Sequence, residues 1–317
     1  MKQRKIGNTG ITVSALGLGC NNFGLRIDTE ASRAVIHKAL DLGITFWDTA
    51  DVYGKRGGSE TCLGQFLGPR RKDIFLASKF GAPMDDAGTL GGCSRKYIMT
   101  AVEASLKRLK TDWLDLYQMH RFDQATPLEE TMRALDDLVK QGKVRYLGFS
   151  TLVGWPFVDM QWTARQLGTT PLTFCESEYS LLKRDDEQDL IPAMLKHGAH
   201  LLPYYPLAGG FLSGKYKRNA PLPEGARITK GARYQGMWIN DENWDILEKL
   251  EAFAAARGRS MIELAFAWLL AQPVLASVIA GATKPGQLEA NVRAVEWELT
   301  PAEVAEVNEI SNKYVPL

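Results

Sequence analysis

The chain alternates short apolar runs of strand length with amphipathic helical stretches over most of its 317 residues. The apolar runs end near eight positions, which are Gly19, Asp48, Lys79, His120, Ser150, Glu176, Tyr204 and Ile279. Most of these ends lie roughly 26 to 41 residues apart, and a strand–helix–strand unit needs about 30 residues. The spacing therefore predicts an α/β fold, a (β/α)8 TIM barrel, as a single domain over residues 1–317.

The two ends of the chain predict additions to this barrel. Residues 5–13 are typical of a small hairpin, which we place across the N-terminal end of the barrel. The last interval is much longer than the others and predicts extra helices late in the chain. It includes an irregular stretch, residues 217–240, rich in Pro, Gly and Arg. Because long loops in compact domains are usually functional or disordered, its aromatic residues Tyr234 and Trp238 favour a lid over the mouth rather than a plain linker.

Two Thr-Pro pairs predict where helices begin. Thr126 precedes Pro127, and Thr300 precedes Pro301. Proline is favoured at the first helical position and threonine can cap the position before it. We therefore expect both threonines to be N-caps.

Composition argues against several classes of partner. The chain has 38 basic and 37 acidic residues and a formal net charge of +1, so bulk charge does not indicate a nucleic-acid or membrane surface. Its four cysteines are scattered without a C-x-x-C pair, which argues against a metal site and a disulfide framework. Reduced thiols and an N-terminus unlike a signal peptide predict a cytoplasmic protein. The apolar run at residues 264–271 is too short to span a bilayer.

Four polar residues stand at, or just past, the ends of successive predicted strands. They are Asp48, Tyr53, Lys79 and His120. The C-terminal ends of the strands of a parallel barrel face one mouth, so these groups should converge there. Each residue alone has a plainer interpretation, as a helix cap, a surface tyrosine, a solvated lysine or a core histidine. The combination is what the reduction of a carbonyl needs.

The chemistry assigns each of the four a role. A carbonyl that receives hydride gains negative charge on its oxygen and needs a proton, which we expect Tyr53 to donate. A nearby Lys79 ammonium should lower the pKa of Tyr53 from its ordinary value of ~10. Asp48 should keep Lys79 charged and oriented. A neutral His120 should hydrogen-bond the substrate oxygen and position it.

Four segments make the chain resemble the aldo-keto reductase superfamily, in its bacterial type with a short C-terminal tail. They are residues 43–54 (GITFWDTADVYG), 117–121 (YQMHR), 142–150 (GKVRYLGFS) and 205–216 (YPLAGGFLSGKY). The resemblance extends over roughly residues 4–310. It implies that Tyr53 is the general acid, that Lys79 and Asp48 tune it, and that His120 orients the substrate.

The resemblance also implies a nicotinamide cofactor, NADP(H) or NAD(H). Tyr204 would stack on the nicotinamide ring, and residues 206–215 would cover the pyrophosphate. A helix N-terminus near Pro285 favours an anion, and Lys284 is the candidate for a 2′-phosphate, which favours NADP(H). The implied contacts are Gly19, Cys20, Asn21, Asp48, Ser150, Thr151, Glu176, Tyr204, Pro206, Leu207, Gly209, Lys215, Gly281, Thr283, Lys284, Gln287 and Asn291.

Three positions depart from the pattern of that family. Thr151 stands where the family usually has Asn, Glu176 where it usually has Gln, and Ala290 where it usually has Glu. The first two positions touch the carboxamide of the cofactor in the family, and the third touches adenine. These departures concern the affinity and specificity for the cofactor and leave the four catalytic residues intact.

We expect the substrate to be a small-molecule carbonyl or alcohol. The mouth should include Phe23, Phe80, Arg121 and Trp238, a set that suits bulky or cyclic carbonyls. The short C-terminal tail predicts an open pocket with broad specificity. Oligomeric state has no signal in the sequence.

Other functions remain open at this point. Some proteins that resemble this family are regulatory subunits of membrane channels, so a redox-sensing regulatory subunit is the main alternative. A TIM-barrel isomerase with a lysine base is another. Residues 209–216 nearly match a nucleotide-binding P-loop, but Tyr216 stands where that motif needs a small hydroxyl.

Overall fold

Eight parallel strands form a nearly closed barrel in the computed structural model, which describes residues 1–6, 9–150, 153–226, 228–230 and 232–312. A hairpin precedes them, formed by β1 (Gln3–Lys5) and β2 (Thr12–Ser14). The barrel strands are β3 (Leu16–Gly19), β4 (Phe46–Asp48), β5 (Phe75–Phe80), β6 (Leu114–Met119), β7 (Val144–Ser150), β8 (Leu172–Glu178), β9 (His200–Tyr204) and β10 (Val278–Gly281). Their order is β10-β3-β4-β5-β6-β7-β8-β9, so the predicted TIM barrel and N-terminal hairpin are confirmed.

The barrel closes through the segment that precedes β10. The Leu201 N–H of β9 donates to the Val274 carbonyl at 2.8 Å, and the Ala276 N–H donates back to the Leu201 carbonyl at 2.9 Å. These two bonds bring β9 beside the chain that continues into β10. The last gap of the sheet is therefore bridged at one point rather than along a full ladder.

Helices surround the barrel and follow most of its strands. They are α1 (Thr29–Asp41), α2 (Tyr53–Phe66), α3 (Arg95–Leu109), α4 (Leu128–Lys140), α5 (Gly154–Leu167), α6 (Leu190–His197), α7 (Ala232–Trp238), α8 (Asp241–Ala255), α9 (Met261–Ala271), α10 (Pro285–Ala294) and α11 (Pro301–Ser311). Three helices lie between β9 and β10, where the long last interval predicted additional ones. Across the described ranges, no helix is both long and apolar enough to cross a membrane.

Alternation along the strands decides which residues face the barrel axis. Phe46, Ala77, Leu116, Phe174 and Leu202 come from five different strands and form one buried cluster inside the barrel. The hairpin residues Ile6 and Val13 join this cluster, so the hairpin covers the N-terminal end of the barrel. Because side chains alternate along a strand, the residues two positions further on form the next inward layer, toward the C-terminal mouth.

That next layer contains the polar residues of the mouth. It consists of Asp48, Lys79, Gln118, Glu176 and Tyr204, each two residues beyond a member of the apolar cluster. Their immediate neighbours on the strands face the surrounding helices instead. Register therefore places several charged side chains together above an apolar floor.

One of the two predicted helix caps is wrong. Thr300 accepts a hydrogen bond from the Glu303 N–H at 3.3 Å and caps α11 as expected. Thr126 instead donates to the Asp123 carboxylate at 2.7 Å, and α4 begins one residue later than predicted, after Pro127. A local carboxylate competes for the threonine hydroxyl, so Thr126 does not cap the helix.

Candidate active site

Lys79 is the centre of the site and is completely buried on β5. Its Nζ donates to both carboxylate oxygens of Asp48, at 2.7 and 2.6 Å, and to the Thr49 carbonyl at 3.1 Å. A buried ammonium needs such partners because removing it from water is costly. The predicted pairing of Lys79 with Asp48 is thus present in the structure.

A second carboxylate also contacts this ammonium. The Glu176 Oε2 lies 3.1 Å from the Lys79 Nζ. Gln118 links the two acids, since its Nε2 donates to Glu176 at 3.0 Å and to Asp48 at 3.4 Å. The sequence analysis did not assign Gln118, although its position two residues after the inward-facing Leu116 could have revealed it.

Burial and the neighbouring charges shift the pKa values of Asp48 and Lys79. Burial, followed by the repulsion from Glu176, raises the pKa of Asp48 to about 8, although the nearby Lys79 opposes this. Burial acts to lower the pKa of Lys79, but the two carboxylates outweigh it and hold that pKa well above its ordinary value. Lys79 therefore stays an ammonium, which argues against the lysine base of an isomerase.

Tyr53 enters the site through an irregular turn at the start of α2. Gly54 has φ 69°, and a Cβ there would lie 2.4 Å from the Ser59 nitrogen, so only glycine fits. This turn places the Tyr53 hydroxyl 3.4 Å from the Lys79 Nζ. The phenol and the ammonium are brought together as the sequence predicted.

The predicted lowering of the Tyr53 pKa is wrong. Burial raises the pKa of Tyr53 above its ordinary value; Lys79 opposes this, and Asp48 and Glu176 add to it. One ammonium does not outweigh burial and two carboxylates. The phenol consequently keeps its proton at neutral pH.

His120 follows β6 and points its ring toward the phenol. The backbone N–H of His120 donates to the Phe80 carbonyl at 2.8 Å. The His120 ring meets the Tyr53 ring edge-on, with 5.7 Å between the centroids. Burial, followed by the charges of Lys79 and Arg121, lowers the pKa of His120 to about 3. The imidazole is therefore neutral, as expected. Its buried Nδ1 has no hydrogen-bond partner in the described part of the chain.

A cavity of about 640 Å³ opens above these groups. It extends from the barrel mouth along the 205–215 loop to the start of α10. Its lining includes fifteen of the predicted cofactor contacts, which are Gly19, Cys20, Asn21, Asp48, Ser150, Glu176, Tyr204, Pro206, Leu207, Gly209, Lys215, Gly281, Thr283, Gln287 and Asn291. Lys284 is exposed beside Thr283 at the N-terminus of α10 but does not line the cavity. Thr151 lies outside the described residues.

The loop along the cavity holds an unusual backbone. Tyr205 and Ala208 have φ values of 53° and 48°, and the following Gly209 and Gly210 have 66° and 103°. A left-handed conformation at a residue other than glycine costs on the order of 1–2 kcal/mol. Such strain concentrates at ligand-binding segments, where the surrounding structure maintains it.

Trp238 supports this loop and does not cover the mouth. It is 2% exposed, and a Cβ on Gly209 would lie 3.2 Å from its Nε1. The irregular stretch that contains it forms α7, which packs Trp238 into the core. Gly225 and Ala226 of the same stretch do line the cavity. The predicted lid role of Trp238 is therefore wrong in this structure, while the side chain of Tyr234 is outside what the structure describes.

The other predicted substrate residues also lie away from the cavity. Phe80 follows the inward-facing Lys79, so it faces the helices and stacks on Tyr117 at 4.7 Å. Phe23 is fully buried, and Arg121 is exposed. Neither these three nor Trp238 is among the lining residues. Sequence reasoning instead missed Asn22, Arg26, Tyr205 and Ile262, which do line the cavity; the first was signalled by its predicted neighbour Asn21.

The cavity has the features of a dinucleotide site. Its volume lies within the range of ~300–1,000 Å³ typical of ligand pockets. At its far end, the side chain of Gln287 accepts from the Thr283 and Lys284 N–H groups, at 2.7 and 3.3 Å, which fixes the start of α10. Helix N-termini attract phosphate, and Lys215 and Arg26 add positive charge along the wall. A Cβ on Gly281 would lie 3.1 Å from the Asn22 Nδ2, so glycine keeps this wall open.

Comparisons with known proteins agree with this geometry. The sequence pattern of the Aldo/keto reductase family matches residues 15–312. Aldo-keto reductase yakc [NADP(+)] of Schizosaccharomyces pombe is 37% identical, with 96% of this chain and 90% of the relative covered. L-glyceraldehyde 3-phosphate reductase of Escherichia coli is 34% identical, with 93% of this chain and 88% of the relative covered. A probable voltage-gated potassium channel subunit beta of Arabidopsis thaliana is 33% identical, with 93% of this chain and 92% of the relative covered.

Proposed function

Because this chain belongs to the aldo/keto reductase family of oxidoreductases, we propose that it is an NADP(H)-dependent enzyme that interconverts aldehydes or ketones and alcohols. The observation that carries the proposal is the meeting of four groups at one end of one cavity. They are a protonated phenol, a buried ammonium, its carboxyl partner and a neutral imidazole, on Tyr53, Lys79, Asp48 and His120.

In the proposed reaction the bound nicotinamide supplies or accepts the hydride. Tyr53 donates its proton to the substrate oxygen as negative charge develops there. Its raised pKa ensures that the proton is present at neutral pH, and Lys79, 3.4 Å away, stabilises the phenolate that remains. His120, being neutral, can donate a hydrogen bond to the same oxygen and orient it. Asp48 keeps the ammonium in place.

The proposed cofactor site uses the length of the cavity. Tyr204 lies at the mouth end and would flank the nicotinamide. The strained loop and Lys215 would hold the pyrophosphate, and residues 281–291 would hold the adenosine end. The preference for NADP(H) rests on the exposed Lys284 beside this end. One relative carries NADP(+) in its name, which supports the same choice.

A substrate panel with both cofactors tests the activity. We expect NADPH to be oxidised, measured by its loss of absorbance, with at least some aldehydes or ketones, and sugars and secondary alcohols should be assayed in the two directions. Failure of every compound to turn over with either cofactor would contradict the proposal. Substrate concentration series would then rank the carbonyl classes by kcat/KM.

Lys284→Ala tests the choice of cofactor. Only NADPH carries the 2′-phosphate, so its affinity should fall more than that of NADH. Losing a hydrogen bond to a charged group typically costs ~1.5–3 kcal/mol, or more than a tenfold loss. Lys196→Ala removes another exposed lysine, on α6, and should change neither affinity. Equal losses for the two cofactors in a fluorescence titration would exclude this role for Lys284.

A redox-sensing regulatory subunit is the second candidate. The similarity to a probable potassium channel subunit beta favours it. A protein of this kind would bind the cofactor tightly and turn over carbonyls slowly or not at all. Cofactor binding without turnover in the panel would therefore favour the regulatory function over the enzyme.

A further inference from the structure

The charges at the barrel mouth do not balance once Asp48 is ionised. The groups that face one another there are Asp48 on β4, Lys79 on β5, Gln118 on β6 and Glu176 on β8, together with Tyr53 and His120. Among these described groups only Lys79 is positive, and two are carboxylic acids; because the pKa of Asp48 is raised to about 8, Asp48 carries its full charge only toward basic pH. The imidazole, the phenol and the thiol of Cys20 remain neutral at neutral pH, since burial lowers the pKa of the first and raises those of the other two.

Glu176 is the source of the surplus. Lys79 is already held by both oxygens of Asp48, at 2.7 and 2.6 Å, so its charge is matched without a second acid. Glu176 approaches the same ammonium at 3.1 Å and is 2% exposed, which leaves one extra negative charge in a dry site whenever Asp48 is ionised. Burying a surplus charge is unfavourable unless another group comes to balance it.

Glu176 also faces the cavity, where a charged ligand could balance it. It lines the cavity together with Asp48, Tyr53 and His120. Hydride transfer requires the nicotinamide ring to meet a carbonyl that Tyr53 and His120 hold, so the ring must lie at this end. The oxidised nicotinamide is a cation, whereas the reduced ring is neutral.

We propose that, when Asp48 is ionised, Glu176 makes the site prefer the oxidised cofactor, because its carboxylate supplies the negative charge that the cationic nicotinamide neutralises. This inference rests on the proposed cofactor site. It assigns to Glu176 a specificity role separate from proton transfer, which stays with Tyr53. A site with this preference releases the oxidised cofactor slowly and favours oxidation of an alcohol more than a neutral site would.

Glu176→Gln tests the inference with little change in shape. The Kd values of NADP+ and NADPH are measured by calorimetry and by fluorescence on the purified protein, without substrate, at pH 9, which is above the raised pKa of Asp48. Removing one charge next to the ring should weaken NADP+ relative to NADPH on the order of tenfold, since charges at close range in a buried site interact strongly. An unchanged ratio of the two Kd values would overturn the inference.

Two further variants separate this effect from altered structure. Glu176→Asp keeps the charge and should keep the preference for NADP+. Glu103→Gln removes an equal charge from the outer helix α3 and should leave the ratio of Kd values unchanged. A ratio that falls equally in Glu176→Asp and Glu176→Gln would mean that shape, not charge, sets the preference. Failure of the wild-type protein to bind either nucleotide would overturn the proposed cofactor site and this inference with it.

Discussion

Two ionic clusters, each built around buried charges, lie at opposite ends of the barrel and differ in how well those charges are satisfied. The mouth cluster consists of Asp48, Lys79, Gln118 and Glu176. The bottom cluster consists of Arg71, Trp113, Asp115 and Arg145. In the bottom cluster, the Asp115 carboxylate accepts from Arg71 at 2.9 Å, Arg145 at 2.8 Å, the Leu76 N–H at 3.0 Å and Trp113 at 3.3 Å.

The mouth cluster leaves polar groups unmatched. The Gln118 Oε1 has no hydrogen-bond partner among the described residues, and the same is true of the neighbouring His120 Nδ1. The mouth cluster also borders a cavity and has more carboxylates than cations. In the bottom cluster the buried Arg71 Nε has no hydrogen-bond partner among the described residues, but both oxygens of Asp115 are held by donors. The contrast teaches that a buried carboxylate with several donors stabilises the fold, whereas a cluster with surplus carboxylates beside a cavity is available to a ligand.

Asp115→Ala should have the larger effect on stability. It would leave the buried Arg71 without its carboxylate, and breaking a buried pair in this way costs about 3–5 kcal/mol of the free energy of unfolding. Urea unfolding would measure the loss, and kcat of the remaining folded enzyme should be unchanged. Asp73→Ala, which breaks an exposed pair with Arg70, should cost less than about 1 kcal/mol. Similar small losses of unfolding free energy in Asp115→Ala and Asp73→Ala would contradict a stabilising role for the bottom cluster.

Asp48→Asn should change the free energy of unfolding by a smaller amount, and by an amount that depends on pH. The pKa of Asp48 is raised to about 8 in the folded protein, against about 3.9 unfolded, so the folded state binds more protons between these values. The contribution of Asp48 to stability is therefore greatest at low pH and is lost as the pH rises toward 8. The slope for one such group is at most ~1.4 kcal/mol per pH unit.

The pH window for that experiment follows from His120. Its pKa is lowered to about 3, so its own effect on stability runs in the opposite direction and ends near pH 6.5. Urea unfolding at several values from pH 6.5 to 8 should show wild-type stability falling more steeply than that of Asp48→Asn. Parallel curves would show that Asp48 is not the group that titrates there.

Strand spacing was enough to predict the fold and the meeting of the proposed catalytic groups at one mouth. Parallel strands end at one mouth, so Asp48, Lys79 and His120 had to meet once their strands were recognised. Alternation would also have excluded Phe80 from the mouth, since it follows the inward-facing Lys79 directly.

Other features depend on contacts that no local pattern reveals. The raised pKa of Tyr53 needs its burial and the approach of Glu176, whose strand lies far along the chain. The irregular sequence around Trp238 favours a lid, but it does not show which residues the tryptophan contacts. Its place beneath Gly209 is set by the packing of α7 against a loop distant in sequence.

Comparing Tyr53→Phe with Tyr117→Phe tests the central claim most directly. Both changes remove a buried phenol hydroxyl, but Tyr117 faces the helices and stacks on Phe80. We expect Tyr53→Phe to lower kcat for carbonyl reduction by ~10²–10⁴-fold while NADPH still binds with near wild-type affinity. Tyr117→Phe should keep wild-type kcat. Wild-type turnover in Tyr53→Phe, or an equal loss in the two variants, would contradict the role of Tyr53 as the proton donor.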